Sequence, residues 1–225
     1  MKELITSQPF LLTLEVSVIS LILQFIIGVP LGIYITGKNS IFRRIVEIIV
    51  TLPMIFPPMA LGFFLILILG KNGLIGGFLY NTFDFKIIFT FWGVLTAVFI
   101  VGLPFMVKSV QSSRKQLDTA MVEAARTLGK SKFAIMRKVI LPNIRGGITT
   151  GMLLAFGRSL GEVGISLMLG GNIIGRTETL SLAIYNSVYE GDFAKAAELS
   201  ILLSVLAIIV IVISNKSVFF KRKTN

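Results

Sequence analysis

Two opposite charges stand four residues apart inside a long apolar segment, at Arg158 and Glu162. Side chains at this spacing share a helix face and can form an ion pair. A charged side chain costs about 2.5–3.5 kcal/mol at the centre of a bilayer, so both should face other helices or water. Two interpretations stay open: a neutralised structural pair, or a pair that lines or gates a pathway. One cation beside an acid is a poor high-affinity anion site.

Other kinds of chemistry are disfavoured by composition. The 225 residues include neither cysteine nor histidine, which excludes disulfides, thiolate zinc sites and catalysis by either residue type. The 11 acids are scattered rather than clustered as a membrane enzyme would need. The sequence has no phosphate-binding loop of the form G-x-x-x-x-G-K-[ST]. We therefore expect a non-catalytic chain without a metal site or cofactor of its own.

Hydrophobic residues make up 54% of the chain and charged residues only 15%, a balance that is rare in soluble domains. Long apolar runs alternate with short charged segments. This pattern predicts an all-α, polytopic membrane helix bundle with about five transmembrane helices. The runs are Phe10–Ile35, Ile45–Leu69, Ile87–Val107, Ile148–Leu169 and Leu199–Ser214, the last possibly extended back to Phe193.

Some residues inside these runs should shape the bundle. Glu15 and Gln24 predict a face of the first run that looks into the bundle. The second run holds three prolines, which predict a kinked or broken helix beside a water-accessible path. Four glycines at small-xxx-small spacing in and before the fourth run predict close helix packing. These prolines and glycines are Pro53, Pro57, Pro58, Gly147, Gly151, Gly157 and Gly161.

Most of the 22 basic residues fall in three segments: after the first run, after the third and after the fifth. With five spans these segments lie on one side, and the positive-inside rule makes that side the cytoplasm. The amino terminus is then predicted outside and the carboxyl terminus inside. Topology and anionic lipid explain the net charge of +11, so no nucleic-acid partner is expected. Residues 8–215 should form the membrane domain and residues 216–225 a cytoplasmic basic tail.

The cytoplasmic loop, residues 114–146, has the pattern of two short amphipathic helices joined by a glycine turn. Asp118 and Ser131 are the expected N-caps, Gly129 ends the first helix, and Pro142 ends the second. Such a pair could lie on anionic lipid or dock into a groove on another protein. The apolar stripe of the first helix is Ala120, Met121, Ala124, Ala125 and Leu128.

The same loop contains a more specific pattern, Glu123-Ala124-Ala125-Arg126-Thr127-Leu128-Gly129 followed by Ile140-Leu141-Pro142. It resembles the Glu-Ala-Ala loop of importer permeases in the ATP-binding cassette (ABC) superfamily, which docks onto a cytosolic ATPase subunit. The resemblance implies the type I ABC importer permease architecture. It also implies a coupling role for Glu123, Ala124, Ala125, Gly129, Leu141 and Pro142.

A second stretch, Arg158-Ser159-Leu160-Gly161-Glu162 with residues 171–180 and Ala183-Ile184-Tyr185, is similar to molybdate permeases of this superfamily. Tungstate and sulfate permeases are close relatives of these. The resemblance implies an oxyanion importer built from a homodimer, two ATPase subunits that bind ATP, and an external oxyanion-binding protein facing residues 170–195. Part of that outer segment could dip back into the membrane.

Arg158 and Glu162 are then candidates for the translocation pathway. A stand-alone secondary transporter or channel is the alternative from a different class. It would explain the spans and the intramembrane charges, but it would not explain the loop pattern.

Overall fold

The computed structural model describes residues 7–37 and 40–222, with side chains described up to residue 212. Within these residues all regular structure is helical, as predicted. Ten helices follow one another: α1 (Gln8–Ile35), α2 (Ile41–Ile55), α3 (Pro58–Leu69), α4 (Leu74–Phe83), α5 (Phe91–Lys115), α6 (Thr119–Thr127), α7 (Lys132–Leu160), α8 (Gly164–Gly170), α9 (Leu180–Tyr189) and α10 (Phe193–Arg222).

Four helices in the described part are long and apolar enough to cross a bilayer: α1, α5, α7 and α10 through Val212. The pair α3 and α4 makes a fifth if it counts as one span, bent by 42°. The expectation of about five spans is confirmed. The second apolar run is broken as its prolines predicted, because α2 ends at Ile55 and α3 starts at Pro58. The backbone of α10 continues into the predicted tail, whose side chains lie outside the described residues.

Helices α1, α5 and α7 form the centre of the bundle through close contacts at glycines. A Cβ atom on Gly32 of α1 would lie 2.8 Å from Val110 of α5. One on Gly147 of α7 would lie 2.3 Å from Ser113, and one on Gly151 would lie 3.0 Å from Met106. The packing role of Gly147 and Gly151 is therefore confirmed.

Two other expectations are met only in part within this chain. Gly157 and Gly161 have open space where a Cβ would be, so neither packs against a helix of this chain. Glu15 is exposed, whereas Gln24 is fully buried. The two residues are nine positions apart, about two and a half turns, so they lie on opposite faces of α1.

The end of the bundle that carries α6 is called the loop end here. Val122 of α6 is buried there with Ile135, Ile140 and Ile144 of α7, and Val29 of α1 joins the same cluster. Lys108 of α5 and Glu47 of α2 form an ion pair at this end, with Nζ and Oε1 2.6 Å apart. The first two basic segments therefore meet at one end of the molecule.

The fourth predicted span, Ile148–Leu169, is interrupted. Helix α7 begins at Lys132 and stops at Leu160, and α8 continues from Gly164. The Ser159 hydroxyl bonds to the carbonyl of Val98, seven residues into α5, which places the break about 10 Å from the end of that helix. The Phe89 N–H then donates to Leu169 O over 2.7 Å, so α8 reaches the opposite end.

Residues 171–192 form a hairpin that returns toward the break. The hydroxyl of Ser181 donates to Leu160 O over 2.6 Å, so the start of α9 lies at the depth where α7 ends. The Leu180 N–H donates to Thr13 Oγ1 of α1 over 2.7 Å. The hairpin thus packs inside the bundle at its opposite end.

Candidate functional site

The turn between α6 and α7 is held by a complete set of caps. Asp118 Oδ1 accepts from the Ala120 N–H over 2.9 Å, and the Ser131 hydroxyl accepts from the Ala134 N–H over 3.2 Å. Gly129 has a φ of +67°. Its N–H donates to Arg126 O, and the Lys130 N–H donates to Ala125 O, which together make a Schellman motif. The predicted caps and the glycine turn are confirmed.

Pro142 does not end the second helix of the loop, contrary to the prediction. The helix runs from Lys132 to Leu160 without a stop. Met136–Ile140 form a π-helical segment directly before the proline, and the Leu141 N–H donates to Met136 O. This i→i−5 register adapts the helix around a residue that has no N–H and would clash in a regular α-helix. The loop is therefore one short helix and the start of a long one.

Several apolar side chains at this turn are exposed to solvent. Val122 and the half-buried Ala125 face the core, so the predicted stripe points only partly inward. Met121, Ala124 and Leu128 share the outer side of α6, and Leu128 is 74% exposed. Phe133 of α7 is 75% exposed. We call Met121, Ala124, Leu128 and Phe133 the apolar loop surface; it can bury itself only against another molecule.

The six residues implied by the family pattern divide into two groups. Ala125 and Leu141 are half-buried and pack against the same core cluster beneath α6. Glu123, Ala124, Gly129 and Pro142 are exposed. The structure thus brings the first group together as support and leaves the second group at the surface.

The predicted pair of charges is formed. Arg158 Nη1 lies 2.9 Å from Glu162 Oε2, and the two side chains are 33% and 2% exposed. The shared helix face is wrong, however, because α7 ends at Leu160 and Glu162 lies in the break. Its other oxygen, Oε1, accepts from the Ile165 N–H over 2.7 Å in the first turn of α8. Glu162 therefore joins both halves of the interrupted helix. Its negative charge is also stabilised by the partial positive charge at the N-terminus of α8.

A polar cluster beside the break was not predicted in full. Gln24 Nε2 donates to Ser20 Oγ over 2.8 Å and to the carbonyls of Val98 and Phe99 over 3.2 Å. Ser159 completes the cluster from α7. The i, i+4 spacing of Ser20 and Gln24 was an available signal, but Ser159 is joined to them only by the fold. The cluster connects α1, α5 and α7.

A second, partly buried network holds the hairpin. Asn186 Nδ2 donates to Glu178 Oε1 over 2.6 Å, and Asn172 Nδ2 donates to Asn186 Oδ1 over 2.7 Å. Thr177 Oγ1 donates to Gly170 O over 2.7 Å. The sequence analysis used residues 171–180 only as part of the family resemblance and did not predict this network, because the folded hairpin is what brings these side chains together.

Comparison with known sequences agrees with this arrangement. Three permease proteins match most of the chain: the probable transport system permease protein NifC of Clostridium pasteurianum is 34% identical over 94% of this chain and 73% of its own length. The molybdenum transport system permease protein ModB of Escherichia coli is 31% identical over 92% and 91%. The probable sulfate transport system permease protein cysT of Chlorella vulgaris is 30% identical over 94% and 79%.

A solved structure shares the fold. The MetNI methionine ABC transporter in an inward-facing conformation superposes with a TM-score of 0.69, over 97% of this chain and 95% of that one, at 21% identity. The family of binding-protein-dependent transport system inner membrane components matches residues 28–220. The chain therefore belongs to the family of binding-protein-dependent transport system inner membrane components, the permease subunits of ABC importers.

Proposed function

We propose that this permease carries molybdate and is driven by a separate cytosolic ATPase subunit that docks on the apolar loop surface. The observation that carries the proposal is the exposed side of α6, which combines the Glu-Ala-Ala pattern with Leu128 and Phe133 in water. The capped Gly129 turn fixes the angle between α6 and α7. Movement of α6 would therefore be passed directly to α7, the long helix that ends at the break. ATP would be bound and hydrolysed by the partner, and this chain would be non-catalytic.

The orientation and the remaining partners follow from the same assignment. The loop end faces the cytoplasm, with the amino terminus outside and the carboxyl terminus inside the cell membrane. The hairpin at the opposite end, held by Glu178, Asn186 and Asn172, would meet the external oxyanion-binding protein. A second copy of the chain would cover the open side of α7 at Gly157 and Gly161.

The pathway is proposed to pass the break between α7 and α8. Interrupted helices with exposed backbone and charged ends line substrate sites in other membrane transporters. Arg158 is one-third exposed while its partner Glu162 is buried, so the cation is the member that a passing anion can reach. Because the pair is close to neutral as a whole, it suits a transient contact rather than tight binding.

Substrate and energy source can be tested together. The chain is reconstituted in vesicles with an ATPase subunit and a binding protein of a molybdate importer, and radiolabelled molybdate uptake is measured with and without ATP. We expect ATP-dependent molybdate uptake that excess sulfate does not abolish. Transport of sulfate with molybdate neither carried nor competing would contradict the substrate. Uptake by the chain alone, without the ATPase, would instead favour a secondary transporter or channel.

A further inference from the structure

Positive charge surrounds the apolar loop surface. Residues 118–138 hold five basic residues but only two acids, Asp118 and Glu123. Three of the cations belong to the part of the turn that carries the exposed leucine and phenylalanine. They are Lys130, Lys132 and Arg137, and all three are exposed. The surface that needs a partner is therefore both apolar and cationic.

The three cations lie close to the apolar side chains. Lys132 directly precedes Phe133, and Lys130 follows Leu128 after one glycine, so the Cα atoms are at most about 3.8 Å and 7.6 Å apart. Arg137 lies about one turn beyond Phe133 on α7, a rise of about 6 Å. Charges act over about 8 Å at physiological salt. A partner that covers Leu128 and Phe133 therefore also meets the three charges.

Among the described residues, no acid pairs with these cations. The ion pairs in that part of the chain join Lys108 to Glu47 and Arg158 to Glu162, outside the turn. The side chains of the three cations form neither an ion pair nor a hydrogen bond with a described residue. Asp118 uses its Oδ1 as the cap of α6. The three charges are therefore available to a partner.

The positive-inside rule explains why cations lie at this end of the molecule, but it does not require them to border an apolar surface. Burial of Leu128 and Phe133 brings Lys130 and Lys132 to the rim of the interface. A basic surface on the partner would oppose association there, because like charges at an interface repel. The position of the cations thus restricts the chemistry of the surface that can dock.

We propose that the ATPase subunit receives the apolar loop surface in an apolar groove whose rim carries carboxylates, which face Lys130, Lys132 and Arg137. This inference rests on the proposed function and adds the chemistry of the partner's surface. Opposite charges at a rim steer the encounter and raise the association rate, whereas buried apolar side chains act mainly on the dissociation rate. The cations therefore accelerate docking, and Leu128 and Phe133 hold the complex.

The rate is measured with the full-length chain in nanodiscs of neutral phosphatidylcholine and a purified ATPase subunit of a molybdate importer. Stopped-flow fluorescence follows association at about 0.01 M and about 1 M salt, where charges act over about 30 Å and about 3 Å. A cation about 7 Å from a carboxylate in water gains about a three-fold factor. Lys130→Gln with Lys132→Gln should therefore slow association about nine-fold at the lower salt and little at the higher.

The matched control is Arg176→Gln with Lys195→Gln, which removes two exposed cations from the opposite end of the molecule. Its association rate should equal that of the wild type. Reversal of charge in Lys130→Glu with Lys132→Glu should slow association about 80-fold at the lower salt. All substituted positions are exposed, so each variant should elute as the wild type does in size-exclusion chromatography.

The carboxylates themselves are located with a carbodiimide, which links an amine to a carboxylate only where the two are in direct contact. The reagent activates the carboxylate, and the lysine amine displaces it as a urea to form an amide. Mass spectrometry should find amides from Lys130 and Lys132 to aspartate or glutamate of the ATPase subunit, and none from Lys195.

Equal association rates in the wild type and Lys130→Gln with Lys132→Gln at the lower salt would overturn the inference, as would an equal loss in the control. The docking proposal would stand in either case if the ATPase subunit still bound. A slower rate confined to nanodiscs of anionic lipid would show that the cations act on the membrane surface instead. Failure of the wild type to bind at either salt concentration would contradict the proposed function, and the inference with it.

Discussion

Gly129 is a position where one residue type decides the local conformation. A side chain at its φ of +67° costs about 1–2 kcal/mol in a left-handed conformation, although a Cβ there would meet no atom within 4 Å. Gly129→Ala should therefore destabilise only the cap of α6. Hydrogen exchange measured on a peptide covering residues 118–131 should become about 5–30-fold faster.

Gly146→Ala is the matched control for this change. Gly146 also has open space for a Cβ, but it lies within α7, where alanine is favoured over glycine by about 1 kcal/mol. In Gly146→Ala, hydrogen exchange of the peptide covering residues 118–131 should be unchanged or slower. Equal exchange in wild type and Gly129→Ala would show that the Schellman motif does not hold the turn.

A double variant can distinguish the two interpretations of the Arg158–Glu162 pair, a structural ion pair or a part of the translocation pathway. Glu162→Gln retains an acceptor for the Ile165 N–H but leaves Arg158 without a counter-charge at membrane depth, at a cost of about 2.5–3.5 kcal/mol. We expect less folded protein from this variant. Combining it with Arg158→Gln removes both charges and should restore the yield, measured by size-exclusion chromatography.

Transport by the double variant then decides the role of the pair. If the pathway uses Arg158, molybdate uptake stays low although the protein is folded. Normal uptake by the folded double variant would make the pair purely structural. The measurement therefore distinguishes a role in the pathway from a role in stability at the same two residues.

The element proposed to couple the chain to a partner is the α6 turn, and its apolar loop surface can be altered without touching the core. Leu128→Ser with Phe133→Ser removes two side chains that are 74% and 75% exposed. Burial of each at an interface would contribute about 1.5–3 kcal/mol, so ATPase binding should weaken at least about 100-fold. The Kd is measured by titrating the purified ATPase subunit into the labelled permease.

A control at the opposite end is Leu74→Ser, which changes a leucine that is 89% exposed. It should leave the Kd unchanged. If it weakened binding as much as the pair at Leu128 and Phe133, the loss would reflect general surface change and the docking assignment would fail.

Local signals predicted the elements well and their connections less well. Asp118, Gly129 and Ser131 act through neighbouring backbone groups, so their caps could be identified from the sequence alone. Pro142 was misread because the preceding π-helical segment, which has no residue signature, changes the hydrogen-bond register around it. The break after Leu160 was missed for a similar reason. The apolar sequence there predicts a continuous helix. In the structure Glu162 accepts from the Ile165 N–H and Ser181 donates to Leu160 O, so the backbone groups at the break have partners.

At the scale of the whole molecule, the clustering of basic segments predicts the loop end in the cytoplasm. The chain offers a direct test, because it contains no cysteine and every introduced thiol is unique. Leu128→Cys places a thiol on the exposed turn of α6, and Tyr189→Cys places one at the end of α9, where the tyrosine is 85% exposed. Neither position has a packing role that the substitution would disturb.

In right-side-out vesicles, a membrane-impermeant thiol reagent should label Tyr189→Cys and should reach Leu128→Cys only after permeabilisation. Inverted vesicles should give the reverse pattern. The physical reason is the cost of moving basic segments across the bilayer, which fixes them on the side of synthesis. Labelling of Leu128→Cys from outside would show that the topology is the reverse of the one proposed. The apolar loop surface would then lie outside the cell, where no cytosolic ATPase can bind it. Labelling of both sites from one side would require an even number of spans between them, in conflict with the single crossing that α7 and α8 make together.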